Sequence, residues 1–323
     1  MKRLWLICAL GLVLSGQGCR QFGPQPSTDP QKVGKGLSLS PQSFSQDDMT
    51  QFFDLALRSG NIITWGGDAS ELTNENAGYH VVMSQARVQG YIPVSIFGIR
   101  HIVNASMEER NAFYKHLETF AKENQPAYIG IGNEINFVLQ DHSDHLPPWA
   151  DMFREARQHI LTVSPNTKVF PVFQYESMKG LRGGLFGGTN NDAQNQWYML
   201  RAFDSADLIG FTTYPGMIYQ TPEDIPLDYY DAISAHTNKP IAITETGWFR
   251  KSSVPGWESS MQEQAGFIKR WFALMNPLHP VFVTWSFLFD PKAQPPFDTM
   301  GLIPHGTTSS VAWKAWQAAH LDK

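Results

Sequence analysis

The stretch Ile-Gly-Ile-Gly-Asn-Glu-Ile-Asn (129–136) decides the fold class, because a short apolar run ends there in a glycine, an amide and a carboxylate. A second stretch of this kind, Ile-Ala-Ile-Thr-Glu-Thr-Gly-Trp (241–248), ends in another glutamate. Short apolar runs bounded by glycine and polar residues are typical of buried strands. In a parallel α/β barrel the loops at the C-terminal strand ends meet on one face. The two stretches therefore predict such a barrel, with Glu134 and Glu245 on that face.

The rest of the chain agrees with this architecture, because apolar runs alternate with amphipathic stretches throughout. The predicted strands are 37–39, 62–65, 91–97, 127–131, 168–173, 208–212, 240–244 and 281–286. Helical patterns lie near 48–58, 76–89, 107–123, 149–163, 194–203, 223–236, 260–275 and 310–319. This alternation predicts a (β/α)8 TIM barrel, of the α/β class, in a single domain. The competing architecture is an open doubly wound sheet, but no Gly-rich phosphate loop follows the first predicted strand.

The N-terminus predicts export. Lys2 and Arg3 precede an apolar run, 4–14, and the small-residue stretch Ser-Gly-Gln-Gly-Cys (15–19) follows. A charged start, a short apolar run and small residues are typical of a signal peptide, and the run is too short to span a bilayer. The pattern resembles a bacterial lipoprotein signal, which implies a lipid on Cys19 and a membrane-anchored protein, periplasmic or at the cell surface. Cleavage by ordinary signal peptidase, giving a secreted protein, is the alternative.

These features predict three segments along the chain. Residues 1–18 form the signal peptide, and 19–35 form a polar, Pro-rich tether. Residues 36–323 form the barrel domain, which is long enough for one large hydrophobic core. We expect a monomer that meets the membrane only through a lipid anchor.

Charge and composition indicate which classes of molecule this chain is suited to bind. The net charge is −5, and no dense run of Lys and Arg occurs beyond residues 2 and 3, so the chain lacks the basic patch that binds a nucleic acid backbone. Aromatic residues make up 13% of the chain and include ten Trp. Aromatic rings offer apolar faces with a polar edge, which suits stacking against sugars as well as core packing. The composition therefore disfavours nucleic acid and is compatible with a carbohydrate partner.

The two glutamate stretches resemble a known clan of enzymes. Gly-Asn-Glu after the fourth strand and Thr-Glu-Thr-Gly-Trp after the seventh are similar to the motifs of the retaining glycoside hydrolases built on the (β/α)8 barrel, and the similarity extends over residues 36–320. The resemblance implies that Glu134 is the general acid/base and Glu245 the nucleophile. It also implies that Asn133 binds the sugar 2-hydroxyl.

The same resemblance suggests further site residues. It implies that Tyr214 orients the nucleophile and that Trp285 forms the floor of the sugar subsite. Other candidates come from their places near strand ends. We expect Trp65, Arg100, His101 and Trp248 to line the cleft and bind substrate, with loop packing or a helix cap as the alternative for Arg100 and His101. Glu176 follows the fifth strand and is a rival carboxylate, for which holding a loop or a sugar hydroxyl is the favoured interpretation.

The chemistry explains why two carboxylates are needed. Retaining hydrolysis uses one carboxylic acid to protonate the leaving oxygen and one carboxylate to attack the anomeric carbon. We therefore predict a retaining β-glycoside hydrolase, endo-acting on a polysaccharide or oligosaccharide, that needs no cofactor. The motifs are reminiscent of β-1,3-glucanases and endo-β-1,4-galactanases. The alternatives are a non-catalytic glycan-binding lipoprotein, with tryptophans stacking on sugar, and a transglycosylase of the same fold.

One further stretch has the composition of a metal site. Asp-His-Ser-Asp-His (141–145) contains imidazole and carboxylate groups at close spacing. No second cluster with clear ligand spacing completes it, so a solvated loop is the favoured interpretation and no metal is predicted.

Overall fold

The structure is a computed structural model that describes residues 34–140 and 145–321. The strands are β1 Gly34–Ser38, β2 Ile62–Asp68, β3 Ile92–Gly98, β4 Tyr128–Ile131, β5 Lys168–Phe170, β6 Val172–Gln174, β7 Ile209–Thr213, β8 Ile241–Thr246 and β9 Phe282–Trp285. The α-helices are α1 Gln46–Ala56, α2 Gly78–Gln89, α3 Arg100–Val103, α4 Met107–Asn124, α5 Ile135–Val138, α6 Leu146–Val163, α7 Tyr175–Met178, α8 Asp231–His236, α9 Met261–Met275 and α10 Val311–Ala318. Short 3-10 helices are Ala69–Thr73, Gly184–Phe186, Asp192–Gln194, Trp197–Phe203, Pro215–Met217, Pro222–Asp224, Asn276–Leu278 and Phe297–Thr299.

The predicted signal peptide, and the tether as far as residue 33 with Cys19, lie outside the described residues. Strand β1 begins at Gly34, just before the predicted start of the domain at residue 36. None of the helices in the described part of the chain is both long and apolar enough to cross a membrane.

All the strands pair in parallel, in the order β5-β4-β3-β2-β1-β9-β8-β7-β6. Segments β5 and β6 are separated only by Pro171; β5 pairs with β4, and β6 pairs with β7. Proline has no N–H to donate to a ladder, so it divides this strand into two segments. The Pro171 carbonyl accepts from Gly210 N at 2.9 Å, and Val172 N donates to Gly132 O at 3.1 Å. The two segments therefore act as one barrel strand, and the predicted (β/α)8 barrel is confirmed.

Two of the predicted helices differ in the structure. The pattern over 223–236 gives the 3-10 turn Pro222–Asp224 and, after an interruption, helix α8. Pro226 disfavours helical angles at the preceding residue, and Ile225 is accordingly extended, with ψ of 121°. The pattern over 194–203 forms the 3-10 helix Trp197–Phe203 in place of an α-helix.

Side chains alternate between the barrel interior and the layer beneath the helices. The interior cluster consists of Ile62, Val94, Ile96, Phe170, Val172, Leu208, Ala242 and Phe282. Neighbours in sequence such as Ile63 and Val283 belong to the larger cluster between the sheet and the helices. Strand side chains have a period of two, so this alternation fixes which residues near the strand ends face the barrel mouth.

An irregularity in β8 changes that alternation at the mouth. Phe211 pairs with Ile243, but the next residue, Thr212, pairs with Glu245, so the register shifts by one residue at Thr244. The Thr284 hydroxyl donates to the carbonyls of Ile243 and Thr244 at 3.2 and 2.5 Å. A bulge of this kind redirects the side chains that follow it. Glu245 thereby shares the inward side with Thr212.

Candidate active site

The chain turns sharply where β4 ends, and this turn presents Glu134. Gly132 has φ of 87° and Glu134 has φ of 49°, so both occupy the left-handed region. A Cβ on Gly132 would lie 2.6 Å from the side chain of Ile135, so a larger residue would have to displace that side chain as well as adopt a positive φ. A non-glycine residue with positive φ stores strain that its surroundings must hold, and such residues cluster at functional sites. The Glu134 Oε1 atom accepts a hydrogen bond from Thr212 Oγ1 at 2.9 Å.

The side chain of Asn136 holds this turn in place. Asn136 is fully buried, and its amide nitrogen donates to Gln174 O and Gln196 Oε1, both at 2.9 Å. Its amide oxygen accepts from Gln174 N at 2.7 Å. Gln196 Nε2 in turn donates to the backbone carbonyl of Asn136 at 3.1 Å. Every one of these partners lies outside the turn, so the network ties the segment with Glu134 to the end of β6.

Glu245 is held from the adjacent strand. The Tyr214 hydroxyl donates to Glu245 Oε2 at 2.7 Å and lies 2.7 Å from Ser286 Oγ, which itself donates to Thr246 O. Burial, and then the negative charge of Glu245, raise the pKa of Tyr214 well above its ordinary value. The hydroxyl therefore remains protonated and able to donate. The charge of Glu134 acts in the same direction on Tyr214, so both carboxylates lie close enough to influence it.

A buried carboxylate lies behind Tyr214. Glu176 is fully buried, and its Oε1 atom accepts from Thr213 Oγ1 at 2.7 Å, from Tyr229 OH at 2.9 Å and from Tyr214 N at 3.1 Å. Its other oxygen accepts from Gln174 Nε2. Burial raises the pKa of Glu176, while these donors favour its charged form. Glu176 thus fixes the backbone that carries Tyr214, as the loop-holding interpretation of this residue predicts.

Asn133 and Gly66 complete the centre of the mouth. A Cβ on Gly66 would lie 3.9 Å from both Asn133 Nδ2 and Glu245 Oε1, so the absence of a side chain there leaves space between these groups. The Asn133 Oδ1 atom is buried and has no hydrogen-bond partner among the described residues. The amide nitrogen, Nδ2, is the atom of this side chain that faces the open space. The structure therefore brings together Asn133, Glu134, Glu245 and Tyr214.

The predicted places of three tryptophans in the cleft are wrong. Trp285 is fully buried on the helix side of the sheet, 5.7 Å from the ring of Trp316, and its Nε1 donates to Met300 O. Trp248 is also fully buried and stacks on Phe267. Trp65 faces α2, because a Cβ on Gly78 would lie 2.3 Å from its ring. Strand alternation places Trp65 and Trp285 on the helix side of the sheet, and Trp248, which follows β8, is buried against Phe267, so none of the three lies in the barrel lumen.

Arg100 and His101 lie in the loop region that follows β3, at the mouth of the barrel. Both are exposed, in the short helix α3 that follows β3. His101 Nε2 lies 3.7 Å from Asp68 Oδ2 at the end of β2. Asp68 Oδ1 also accepts from Ser70 N, so it caps the next 3-10 helix. These positions agree with the alternative of loop packing, and contact with a long substrate stays a prediction.

Other aromatic residues line the mouth, and the motif-based prediction missed them. A cluster of Tyr214, Met217, Phe249 and Met300 is packed against partly buried Phe186, Trp257, Phe287 and Phe297. The ring of Phe297 lies 5.6 Å from that of Tyr214, edge to face. These aromatics come from the loops after strands at the C-terminal face. Counting aromatic residues in those loops, instead of on the strands, would have found them.

The described residues contain no group of three or more His, Cys, Asp or Glu side chains that could hold a metal ion. Residues 141–144 of the Asp-His-Ser-Asp-His stretch lie outside the described part of the chain, and His145 precedes α6.

Solved structures share this architecture at low sequence identity. A family 39 glycoside hydrolase from the gut symbiont Bacteroides cellulosilyticus WH2 aligns with a TM-score of 0.61 and 17% identity, over 89% of this chain and 63% of that one. The Ignisphaera aggregans GH53 catalytic domain aligns with a TM-score of 0.60 and 15% identity, over 92% and 98% of the two chains. A psychrophilic glycoside hydrolase family 10 endo-β-1,4-xylanase gives 0.60 and 12%, over 89% and 97%.

The chain spans less than two thirds of the length of the family 39 protein. By sequence it matches no protein-family model and no curated protein. The structural likeness alone shows that the described chain has the (β/α)8 barrel fold that these glycoside hydrolases share.

Proposed function

We propose that this chain is a glycoside hydrolase that cleaves β-linked oligosaccharides or polysaccharides with retention of configuration. The observation that carries the proposal is the pair of carboxylates at the barrel mouth, each held by a hydroxyl donor: Glu134 by Thr212 and Glu245 by Tyr214. Glycoside hydrolases among the solved structures of the same fold support it. Two carboxylates with different surroundings suit the two roles that glycoside cleavage requires.

The first step forms a glycosyl enzyme. The Glu245 carboxylate attacks the anomeric carbon, the bond from that carbon to the leaving oxygen breaks, and Glu134 gives its proton to that oxygen. In the second step the Glu134 carboxylate takes a proton from water. The water oxygen attacks the anomeric carbon and releases Glu245. Each step inverts the anomeric centre, so the product retains the starting configuration.

The surrounding side chains have roles in this scheme. Tyr214, which remains protonated, orients the Glu245 carboxylate toward the sugar. The amide nitrogen of Asn133, which faces the space at Gly66 beside Glu245, donates to a sugar hydroxyl. Gly66 lets the sugar ring approach, because no side chain fills the space next to these groups.

We further propose endo action on chains. The loops after β4 and β9 lie on opposite sides of the ring of strands, and each contributes an aromatic ring that is only partly buried, Phe137 from one side and Phe287 from the other. Aromatic faces on both sides of the carboxylates suit a substrate that extends beyond one sugar.

A reducing-sugar assay of residues 20–323 against β-glucans, galactans, mannans and xylans tests the activity. We expect release from one glycan, a loss on the order of 10⁴-fold in Glu245→Ala, and a loss of about 10²- to 10⁴-fold in Glu134→Ala. Glu223→Gln, a change at an exposed carboxylate in the loop after β7, is the matched control and should leave the rate unchanged. Proton NMR of the first product anomer tests retention.

Two results would contradict the proposal. Glycan binding by affinity electrophoresis without release of reducing ends would favour the non-catalytic glycan-binding alternative. Hydrolysis that persists in Glu245→Ala would exclude this residue as the nucleophile. Products longer than the substrate would indicate transglycosylation, in which a sugar replaces water in the second step.

We also propose that the chain is exported and anchored through a lipid on Cys19. The proposal is supported by the order of charged, apolar and small residues over 2–19. Incorporation of labelled palmitate into the wild type, and its loss in Cys19→Ser, is the expected result. Export without label would favour secretion after cleavage by ordinary signal peptidase.

A further inference from the structure

A second cleft opens beside the turn that carries Glu134. Its volume is about 500 Å³, and it lies between α5, α7 and the loop that follows α7. Helix α5 begins directly after Glu134, and Phe137 N donates to the carbonyl of Glu134 at 3.0 Å. The cleft therefore shares its wall with the proposed acid. Because Glu134 protonates the leaving oxygen, a cleft on its side is placed to receive the leaving-group part of a sugar chain.

The walls of this cleft combine aromatic and amide groups. Phe137 and Phe186 line it, with ring centroids 6.3 Å apart and ring planes tilted by 47°. The side chains of Gln140 and Gln194 also line it. Apolar rings with a few amides are the chemistry that recognises the faces and hydroxyls of a sugar.

One cation also lines the cleft. Arg182 is partly buried, and its Nε atom is buried and has no hydrogen-bond partner within the described part of the chain. No carboxylate among residues 34–140 and 145–321 forms an ion pair with it. Burying part of a guanidinium without a partner is unfavourable. Because Nε itself is not accessible, an incoming carboxylate would meet the two terminal Nη groups, whose paired N–H donors match the two oxygens of a carboxylate.

The backbone that carries Arg182 is already fixed. Asn190 Oδ1 accepts from the backbone nitrogens of Arg182 and Gly183 at 3.0 and 2.7 Å. Gly188 N donates to Arg182 O at 2.8 Å, and Asn191 N donates to Gly180 O at 2.9 Å. A binding group on a preorganised loop loses little conformational freedom when its ligand arrives.

We propose that this cleft binds a uronic acid residue, with the carboxylate of the sugar on Arg182 and its ring against Phe137 and Phe186. The proposal rests on the proposed function, since it assigns the cleft to the leaving-group side of the bond cleaved by Glu134. It names a substrate class: a β-linked chain that carries carboxylated sugars.

Direct binding tests this without relying on hydrolysis. Methyl β-D-glucuronide and the neutral methyl β-D-glucoside are titrated against Glu245→Ala protein, and binding is followed by saturation-transfer NMR. We expect the uronide to bind at least about tenfold more tightly, as a bidentate carboxylate–arginine pair suggests. Adding Arg182→Met should remove this preference but leave the weaker neutral binding, and adding Arg182→Lys should restore only part of it. Arg154→Met, at an exposed arginine on α6, is the matched control.

The outcomes separate this proposal from the proposed function. Equal binding of uronide and glucoside, or a preference that survives Arg182→Met with an unchanged unfolding temperature, would overturn it. Glucose 6-sulfate binding as tightly as the uronide would show recognition of charge alone and would also overturn the carboxylate assignment. Glycan hydrolysis without any uronide preference would leave the proposed function standing, while uronide binding without hydrolysis would support the cleft and contradict the enzyme.

Discussion

At the scale of single residues, the hydroxyl of Tyr214 holds Glu245 in position. It donates to Glu245 Oε2 at 2.7 Å and lies at the same distance from Ser286 Oγ. A hydrogen bond to a charged group contributes about 1.5–3 kcal/mol. We therefore expect Tyr214→Phe to lower kcat/KM by about 10- to 100-fold, because Glu245 loses the group that orients it. Steady-state hydrolysis of the glycan found in the reducing-sugar panel measures the change.

Tyr91→Phe is the control for this prediction. The Tyr91 hydroxyl is also buried, but Tyr91 lies just before β3, at the opposite end of the barrel, and its hydroxyl donates to the carbonyl of Val82 in α2. Removing it should lower the unfolding temperature and leave kcat/KM unchanged. If both variants were fully active, Tyr214 would have no role in orienting Glu245.

Glu176 predicts a dependence of stability on pH. Burial raises its pKa above the ordinary value of 4.5. Above pH 4.5 the native state then holds this proton while the unfolded chain releases it, so the stabilising contribution is full below that pH and is lost as pH rises through the native-state pKa. Glu176→Gln cannot titrate. We expect the free energy of unfolding of the wild type, relative to this variant, to fall as the pH rises above 4.5.

Urea unfolding at several pH values measures this difference. In the variant, the new amide nitrogen at position 176 would face the amide nitrogen of Gln174, and two donors cannot bond to each other. This loss lowers the free energy of unfolding of the variant by the same amount at every pH. Only the slope with pH therefore tests the titration. A flat difference across the range would show that Glu176 has the same pKa in the folded and unfolded chain.

At the scale of elements, the apolar runs predicted every barrel strand, because parallel strands covered on both faces must be apolar along their length. The interruptions were harder to predict. The run 168–173 contains Pro171, which splits it into β5 and β6, and Pro226 ends a helical pattern before α8. Proline marks such breaks in the sequence, but whether a strand continues beyond it depends on the neighbouring strands.

The side of the sheet that each strand residue faces was the hardest part of the site to predict from the sequence. Glu134 and Asn133 could be predicted because they directly follow the C-terminal end of β4, which lies at the mouth. Trp285 could not, since its side depends on the inward position of Phe282 three residues earlier. Glu245 was predicted at the mouth from the stretch 241–248, but strict alternation along β8 would turn its side chain the other way, and the register shift before it restores the inward direction.

The segment after β4 depends on the buried amide of Asn136. This side chain is the partner of Gln174 N and of Gln196 Oε1, and both of these buried atoms would lose that partner in Asn136→Ala. Each lost partner costs about 1–3 kcal/mol, so we expect the free energy of unfolding to fall by about 2–4 kcal/mol. Activity should fall as well, because the turn that presents Glu134 loosens. Urea unfolding and glycan hydrolysis on the same preparation measure both effects.

Asn124→Ala provides the comparison for this prediction. Asn124 is partly exposed at the end of α4, where its amide nitrogen donates to Phe120 O. Water can replace that partner, so the variant should lose less stability and keep its activity. If Asn136→Ala were as stable and active as Asn124→Ala, the buried network would not position Glu134.

At the scale of the whole molecule, the barrel is closed by contacts between the two ends of the described chain. Strand β1 lies between β2 and β9 in the sheet. From β1, Lys35 Nζ donates to the carbonyls of Trp316 and Gln317 at 2.7 and 3.2 Å, and also to that of Ala319. These carbonyls belong to the C-terminal end of α10, which attracts a cation. The hydrogen bonds of Lys35 therefore link β1 to the C-terminal end of α10.

The burial of Lys35 predicts a second dependence of the free energy of unfolding on pH, opposite in sign to that of Glu176. Burial lowers the pKa of Lys35 from 10.5 to about 8. Between these pH values the unfolded chain binds more protons than the native state, so the native state gains stability as pH rises. Lys35→Met keeps an apolar side chain and removes the titration. We expect the free energy of unfolding of the wild type, relative to Lys35→Met, to increase above pH 8 by at most about 1.4 kcal/mol per pH unit.

Urea unfolding between pH 7 and pH 10 measures this difference, with Lys115→Met, at an exposed lysine on α4, as the control that should show no slope. The carbonyls of α10 oppose the effect of burial, because they stabilise the charged amine. A difference that stays constant up to pH 10 would therefore mean that the helix end outweighs burial and keeps Lys35 charged. A rising difference would mean that burial destabilises the charged form of Lys35 in the native state. Loss of the proton in alkaline solution would then remove this penalty.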